Sequence, residues 1–335
     1  MKNKMKEVYI CPYSKTKLEY VAEQKTQTET IKEHFINAEG RIFPIIDGIP
    51  IFFSSDDLSD DELTAKSEYN NIATFYDNAI NWLFDSFQED EVVVRNKMVD
   101  LLEIDRNSRV LEVGCGTARD SIFIAERLGQ EGEIHLQDIS EEMVRLAEIK
   151  INSLELDCKT NVFASSATYL PYENNYFDAL YTFGGFNEFS NPAQTLQEFC
   201  RVVKTGGKIV FGDENIAPWL DDTEYAEIIK TNNPIFKRTS LPLEHLPENS
   251  EETALRWVIG NCFYLIDFKA GKSAPQLNLD LPHKGWRGGT LRTRYFGQLE
   301  GVSPETKAKV IETAKSSGLS VHEWLEKNIN AIIDN

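Results

Sequence analysis

The strongest chemical signal in the sequence is a pair of glycines that directly follows a short apolar run. Gly114 and Gly116 come after the run RVLEV (109–113), and a stretch that favours a helix (119–125) comes next. A strand, a tight glycine turn and a helix in this order let the backbone approach a nucleotide-like ligand closely. Asp138 ends a second apolar run, where a carboxylate can accept hydrogen bonds from both hydroxyls of a ribose.

The spacing after the second glycine separates two classes of nucleotide ligand. Dinucleotide-binding turns carry a third glycine three residues further on, and Arg119 stands at that position here. This favours a ligand without a pyrophosphate over NAD or FAD. Asp138 also has a structural explanation, because an acidic residue at the start of the following helix is favourable there. Both roles are compatible.

Strand and helix patterns alternate around this turn. The predicted strands are 109–113, 133–138, 161–164, 177–183 and 207–213, and the predicted helices are 117–128, 140–152 and 192–204. Such alternation is typical of βαβ units and a parallel sheet. Two further strands are predicted at Cys262–Lys269 and Thr290–Gln298. We therefore expect an α/β fold with a doubly wound, mostly parallel sheet that ends in an antiparallel hairpin.

Four blocks in this order resemble class I S-adenosylmethionine (SAM)-dependent methyltransferases of the broad type that includes ubiquinone-biosynthesis enzymes. The blocks are VLEVGCGTARD (110–120), the acidic strand end at Asp138, SSATYLPYENNYFDAL (165–180) and RVVKTGG (201–207). The resemblance covers residues 105–215. It implies a Rossmann-like sheet that binds SAM as its cofactor.

The resemblance also implies which residues contact that cofactor. These are Glu112, Gly114, Cys115 and Gly116 around the methionine part and ribose, Asp138 at the ribose hydroxyls, Ile139, Ser166 and Ala167 at the adenine, and Phe183 and Gly184 near the sulfonium. The family binds the adenine amino group with an acidic residue where this chain has Ser166. Adenine recognition is therefore expected to depend on Ser166, Ala167 and backbone groups.

Residues 69–77 (YNNIATFYD) resemble the family's N-terminal motif, in which aromatic side chains fold over the cofactor. The faces of Tyr69 and Tyr76 could stabilise a sulfonium by cation–π contact. The alternative is an aromatic stripe that packs against the core at helical spacing.

Candidate catalytic residues follow the fourth and fifth strands, at the edge where open α/β sheets bind ligands. They are Asn187, Glu188 and Asp213, with Glu214 and Asn215 next to them, and either carboxylate of the Asp213-Glu214 pair could be a base or bind a substrate amine. Capping of the next helical segment is the alternative for that pair. His283 is a further candidate catalytic residue, because it lies in a predicted loop and loops often carry functional residues.

Residues 283–295 concentrate basic and aromatic side chains in an otherwise acidic chain. In a strand, Arg292 and Arg294 would share one face and could clamp a substrate carboxylate, with Tyr295 on the other face. Neutralisation of nearby acidic surface is the alternative.

Composition excludes several classes of function. The formal net charge of −19 argues against nucleic acid or an anionic membrane surface as partner. We expect no membrane span, because no run of about 18 apolar residues is present, and no secretory signal. The five scattered cysteines suit a reducing compartment, so a cytoplasmic location is expected.

Residues 1–55 form a predicted small β module that resembles a degenerate zinc ribbon. Its CPYS opening (11–14) lacks the second cysteine of a CPxC pair, and no further pair follows, so no metal is expected. The complete domain prediction is that module, a helical lid (56–104), a SAM-binding core (105–215), a substrate-enclosing insertion with the last strands (216–300), and C-terminal helices (301–335).

Three functions are compatible with these patterns. The first is methyl transfer from SAM to a small molecule. The second also uses SAM, but a nucleophile attacks a carbon of SAM other than the methyl carbon, in a cyclisation or an aminocarboxypropyl transfer. Gly184-Gly185 and Ser166 suggest this alternative. The third is a catalytically silent subunit that pairs with an enzyme.

Overall fold

A computed structural model describes residues 8–25, 30–284, 290–296 and 302–334. The chain divides into two compact units, Met1–Ala274 and Pro275–Asn335. Within the described residues, no helix is both long and apolar enough to cross a membrane.

The first unit is built on a seven-stranded sheet. Its strands are β7 (Arg109–Val113), β8 (Glu133–Asp138), β9 (Lys159–Ala164), β10 (Phe177–Phe183), β11 (Val203–Glu214), β12 (Ser250–Val258) and β13 (Phe263–Ala270). The spatial order is β12-β13-β11-β10-β7-β8-β9. The five strands β7–β11 are parallel, while β13 is antiparallel to both β11 and β12. This confirms the predicted Rossmann-like α/β fold. The sheet also ends in an antiparallel hairpin, but it is formed by β12 and β13 and not by the predicted pair of strands at Cys262–Lys269 and Thr290–Gln298.

Helices cover and precede this sheet. They are α1 (Asp60–Ile72), α2 (Tyr76–Phe87), α3 (Glu91–Val99), α4 (Arg119–Ala125), α5 (Glu141–Asn152), α6 (Pro192–Val202) and α7 (Glu224–Asn232). Along β7, Val110 belongs to one core cluster and Leu111 to the other. The sheet is therefore buried on both faces, as near-continuous apolar strands require.

The N-terminal module contains β1 (Leu18–Val21), β2 (Gln24–Lys25), β3 (Thr30–Ile31), β4 (His34–Asn37), β5 (Ile42–Ile46) and β6 (Ile49–Pro50). Four of them form an antiparallel sheet in the order β1-β4-β5-β6. Phe52 N–H donates to the Ala164 carbonyl at 2.8 Å, which ties the module to the end of β9. Among the described residues, no group of three or more His, Cys, Asp or Glu side chains could hold a metal. The zinc-ribbon resemblance therefore gains no support from the structure.

The second unit contains α8 (Leu291–Phe296), α9 (Pro304–Ser316) and α10 (Val321–Ile333). The strand predicted at Thr290–Gln298 is wrong, because 291–296 are helical. Six residues of alternating polarity do not distinguish a strand from a helix when tertiary contacts are unknown. The strand that pairs with the outer side of β13 is instead β12. This edge strand has the polar, largely exposed sequence SEETALRWV, which does not predict a strand.

Candidate functional site

The glycine turn lies where the strand order reverses, between β7 and β10. In open α/β sheets, ligands bind outside the carboxyl ends of the strands at such a point. Gly114 and Gly116 both have positive φ, +66° and +51°, a conformation that glycine adopts without strain. Gly116 N–H donates to Asp138 Oδ2 at 2.9 Å, so the turn is fixed to the end of β8.

Asp138 is buried at the end of β8, and its Oδ1 accepts a hydrogen bond from Ser140 N–H at 2.9 Å. Each carboxylate oxygen therefore has one backbone donor and keeps capacity for a second. Burial raises the pKa of Asp138, and the backbone N–H donors oppose that rise. The arrangement holds two acceptor oxygens in fixed positions beside the glycine turn.

An open cleft with about 660 Å³ of empty space extends from this turn, and is called the main cleft below. Nine predicted site residues line it: Tyr69, Tyr76, Gly114, Gly116, Asp138, Ile139, Ala167, Gly184 and Glu188. Its other lining residues are Glu62, Ala65, Gln137, Met143, Thr168, Gly185, Phe189, Ser190 and Thr195. The structure thus brings together residues from α1, α2 and the ends of four strands.

An adjoining cavity of about 600 Å³ lies on the other side of the turn. It shares Tyr76, Gly114, Gly116 and Gly184 with the main cleft, and is also lined by the predicted residues Glu112, Cys115 and Phe183. The two spaces therefore adjoin each other at the glycine turn, Tyr76 and Gly184. One elongated ligand could occupy both.

A buried charge cluster lines the adjoining cavity. Arg95 Nη1 lies 2.6 Å from Asp120 Oδ2, and Ser121 Oγ donates to Glu112 Oε2. Burial and the neighbouring Asp120 raise the pKa of Glu112 well above its usual range. Asp120 Oδ1 is buried and has no hydrogen-bond partner among the described residues. Sequence analysis identified Glu112 but not Arg95, because Arg95 precedes the motif on a separate helix.

Tyr69 and Tyr76 cover the turn from α1 and α2. Their ring centroids are 6.3 Å apart at an interplanar angle of 68°. Asp77 anchors this cover, since it accepts hydrogen bonds from Thr117 Oγ1 at 2.5 Å and from Lys150 Nζ at 3.0 Å. Both tyrosines line the main cleft, so their role is not limited to packing in the core.

Glu62 is a cleft residue that sequence analysis missed. Its Oε1 accepts a hydrogen bond from Ser166 Oγ at 2.5 Å, and Ser166 Oγ is also 2.6 Å from Thr168 Oγ1. Its Oε2 accepts from the backbone N–H and the hydroxyl of Ser59, both at 2.9 Å, and so caps α1. The capping-box spacing from Ser59 to Glu62 was the only local signal, and it indicates a helix start rather than a site.

The candidate catalytic residues at the ends of β10 and β11 differ in their position relative to the two spaces. Asp213 is buried and lines neither space. Its Oδ2 accepts a hydrogen bond from Asn187 N–H at 2.5 Å, and its Oδ1 accepts one from Glu214 N–H at 2.8 Å. Asn187 Nδ2 donates to the Glu214 carbonyl at 3.0 Å. Glu214 lines the adjoining cavity, while Glu188 is exposed in the main cleft. Asp213 and Asn187 therefore hold the loops, and Glu188 is the predicted catalytic residue that faces the cleft.

The remaining predicted residues belong to the second unit. Arg292 makes two hydrogen bonds to Asp280, Nε to Oδ1 at 2.6 Å and Nη2 to Oδ2 at 3.0 Å. The sequence predicts that Arg292 and Arg294 share one face of a strand and clamp a substrate carboxylate. This geometry is wrong, because Arg292, Arg294 and Tyr295 lie on the helix α8. Contact of these residues or His283 with a substrate stays a prediction. Trp286 and Arg287 of that stretch lie outside the described residues.

Comparison with known sequences defines the class of the central region. Residues 104–265 match the sequence model of a methyltransferase domain. The prediction of a methyltransferase domain is thereby confirmed for this region, which contains the glycine turn and most of the residues that line the main cleft.

Individual relatives match only part of this chain. A demethylmenaquinone methyltransferase of Bacillus mycoides is 34% identical over 116 residues, 35% of this chain and 48% of the relative. One from Listeria welshimeri is 32% identical over 128 residues, 37% and 54% of the two chains. The chain thus spans about half the length of these relatives. The solved structure of a SAM-dependent methyltransferase from Aquifex aeolicus has 19% identity and a TM-score of 0.39, and covers 52% of this chain and 88% of its own.

Proposed function

We propose that this chain is a SAM-dependent methyltransferase that acts on a small molecule. The observation that carries the proposal is Asp138, whose two oxygens are fixed at the switch point beside Gly116. A ribose diol fits a buried carboxylate with two such acceptors. The matched methyltransferase domain supports the same class of reaction.

The residues around Asp138 fit the rest of the cofactor. Ile139, Met143 and Ala167 offer an apolar surface for adenine, and Glu62 supplies a carboxylate beside Ser166. This carboxylate comes from α1 and takes the place of the acidic residue that the sequence lacks at Ser166. It could accept a hydrogen bond from the adenine amino group.

The adjoining cavity fits the amino-acid part. A methionine tail carries both an ammonium and a carboxylate, and the cavity lining contains Glu112, Asp120 and Arg95. The unpartnered Asp120 Oδ1 is an acceptor that an ammonium could complete. We assign the ammonium of the methionine tail to this acidic pair, Glu112 and Asp120.

When bound, SAM supplies a methyl group made electrophilic by its positively charged sulfur. The protein's part is to align an acceptor with that methyl group and to exclude water. Gly184 and Gly185 leave open space where a side chain would stand, since a Cβ at either would meet nothing within 4 Å. Tyr69 and Tyr76 present aromatic groups to the same space, which favours a cation there.

Product analysis tests the reaction. The full chain is incubated with SAM and a library of small molecules, beside a heat-inactivated sample, and the nucleoside products are identified by mass spectrometry. We expect S-adenosylhomocysteine in excess over the control. Methylthioadenosine in excess would instead support attack at another carbon, and the absence of both, together with no SAM binding, would support a silent subunit.

A further inference from the structure

One part of the main cleft is not needed for the cofactor. Glu188, Phe189 and Ser190, from the turn after β10, line it together with Thr195 of α6. Tyr69 of α1 lines the same cleft, and α1 lies against the turn that contains Glu188. These residues surround the space in which an acceptor would meet the methyl group.

The charge of this space is negative. The described lining of the main cleft contains three carboxylates, Glu62, Asp138 and Glu188, and no Lys, Arg or His. Glu62 and Asp138 are already held by hydrogen bonds from protein donors. An anionic acceptor such as a phenolate or a carboxylate would therefore be repelled here.

The charges that act on Glu188 come from several elements. Glu214, Glu68 and Asp61 all raise its pKa, after the larger effect of burial, and Arg238 lowers it. Arg238 is exposed and is not part of the cleft lining, and Glu68 and Asp61 are exposed on α1. A cation placed beside Glu188 would relieve this excess of negative charge.

Thr195 gives an independent sign of a polar ligand. Thr195 is fully buried and belongs to the lining of the main cleft, and its hydroxyl has no hydrogen-bond partner among the described residues. A buried hydroxyl without a partner is costly, and a ligand that donates a hydrogen bond would complete it. Thr195 and Glu188 therefore belong to the lining of the same cleft.

We infer that the methyl acceptor is an amine that enters the cleft protonated. This inference rests on the proposed function. Glu188 binds the ammonium, the Thr195 hydroxyl accepts one of its N–H groups, and Tyr69 and Phe189 provide aromatic and apolar surface around it.

The reaction on such an acceptor is balanced without any further reagent. The ammonium first gives one proton to the Glu188 carboxylate, which leaves a lone pair on nitrogen. That lone pair forms the new nitrogen–carbon bond, the carbon–sulfur bond breaks, and its electron pair remains on sulfur as a neutral thioether. The product is an N-methylammonium ion, and the proton on Glu188 passes to water.

Binding to the full chain saturated with S-adenosylhomocysteine tests this inference by calorimetry. The probes are phenethylammonium and its anionic counterpart 3-phenylpropanoate. We expect the ammonium to bind, the propanoate to show no binding, and Glu188→Gln to weaken the ammonium by about tenfold, since a charged hydrogen bond is lost. Thr195→Val should weaken it by about threefold.

Glu155→Gln is the matched control, because it removes the same charge from an exposed position before β9 that does not line the cleft. It should change the affinity by less than about twofold. Equal affinity of wild type and Glu188→Gln, no binding of the ammonium, or tighter binding of the propanoate would overturn the inference. Failure of S-adenosylhomocysteine itself to bind would instead overturn the proposed function, so the two failures are distinguishable.

Discussion

Glu62 Oε1 accepts a hydrogen bond from Ser166 Oγ at 2.5 Å, across 104 residues of sequence. Glu62 stands in the first turn of α1, and Ser166 follows β9 at the edge of the main cleft. The same carboxylate caps α1 through Ser59. The helix that covers the cleft is therefore fixed to the sheet at the proposed adenine site.

Glu62→Gln tests this adenine contact. Glutamine can still cap α1, but it loses the charged acceptor for an amino group. We expect wild type to prefer S-adenosylhomocysteine over S-inosylhomocysteine, which lacks the amino group, by about tenfold. The variant should lose most of that preference. Calorimetry with both nucleosides measures it.

Asp61→Asn is the control for that measurement, because Asp61 is the exposed neighbour in the same helical turn. It should keep the preference of wild type. A Glu62→Gln chain with an unchanged preference would show that Glu62 caps the helix and does nothing at the adenine.

Much of the cleft could be predicted from the sequence, because its parts are local motifs. Gly114, Gly116 and Asp138 lie in strand-end patterns whose geometry follows from a few neighbouring residues. Glu62 and Arg95 could not be found in this way. They reach the cleft from helices that precede the sheet, and only the tertiary packing of those helices brings them there.

Gly185→Ala tests whether the open space beside the turn is used. Gly185 has φ −143°, which alanine adopts without strain, and an added Cβ meets nothing within 4 Å. The melting temperature should therefore change by no more than about 2 °C. Turnover, or binding of acceptor probes, should fall by about tenfold as the methyl intrudes. Unchanged turnover would show that neither cofactor nor acceptor occupies this space.

Arg95→Met tests the buried charge cluster. Arg95 is the cation that faces Asp120, and its loss leaves the carboxylates of Asp120 and Glu112 buried together. We expect the free energy of unfolding to fall by about 3–5 kcal/mol, measured by urea denaturation. Adding Asp120→Asn to this variant should recover part of the loss. A fall below about 1 kcal/mol would mean that the cluster is solvated.

Asp213→Asn should have a pH-dependent effect on stability. Burial and the adjacent Glu214 raise the pKa of Asp213 well above its usual range. The unfolded chain loses the proton near pH 3.8, while the folded chain keeps it to higher pH. Wild type therefore loses stability as pH rises above about 4, by up to about 1.4 kcal/mol per pH unit, and the asparagine variant does not.

The measurement is the difference in free energy of unfolding, variant minus wild type, between pH 5 and pH 8. We expect this difference to increase with pH. The hydrogen bond that asparagine loses adds the same offset at every pH, so the slope alone is diagnostic. Asp222→Asn, at an exposed position, should give no slope. A flat line for Asp213→Asn would contradict the buried, protonated state.

The fold was hardest to predict outside the segments in which strands and helices alternate. β12 was not predicted, because an exposed edge strand carries no apolar alternation. The helix at Leu291–Phe296 was taken for a strand because its short alternating pattern allows both. In both segments the outcome depends on which neighbours the chain contacts, and local sequence does not contain that information.

Binding of SAM to wild type and to Asp138→Asn, measured by calorimetry, tests the central claim most directly. Wild type should bind one SAM per chain. Asp138→Asn should bind about a hundredfold more weakly, because two hydroxyl hydrogen bonds to a charged acceptor are weakened. The variant should still fold, with a melting temperature lowered by a few degrees, because an amide accepts only one of the two backbone hydrogen bonds. Equal affinity of the two proteins, or no binding by wild type at millimolar SAM, would contradict the assignment of the main cleft as a SAM site.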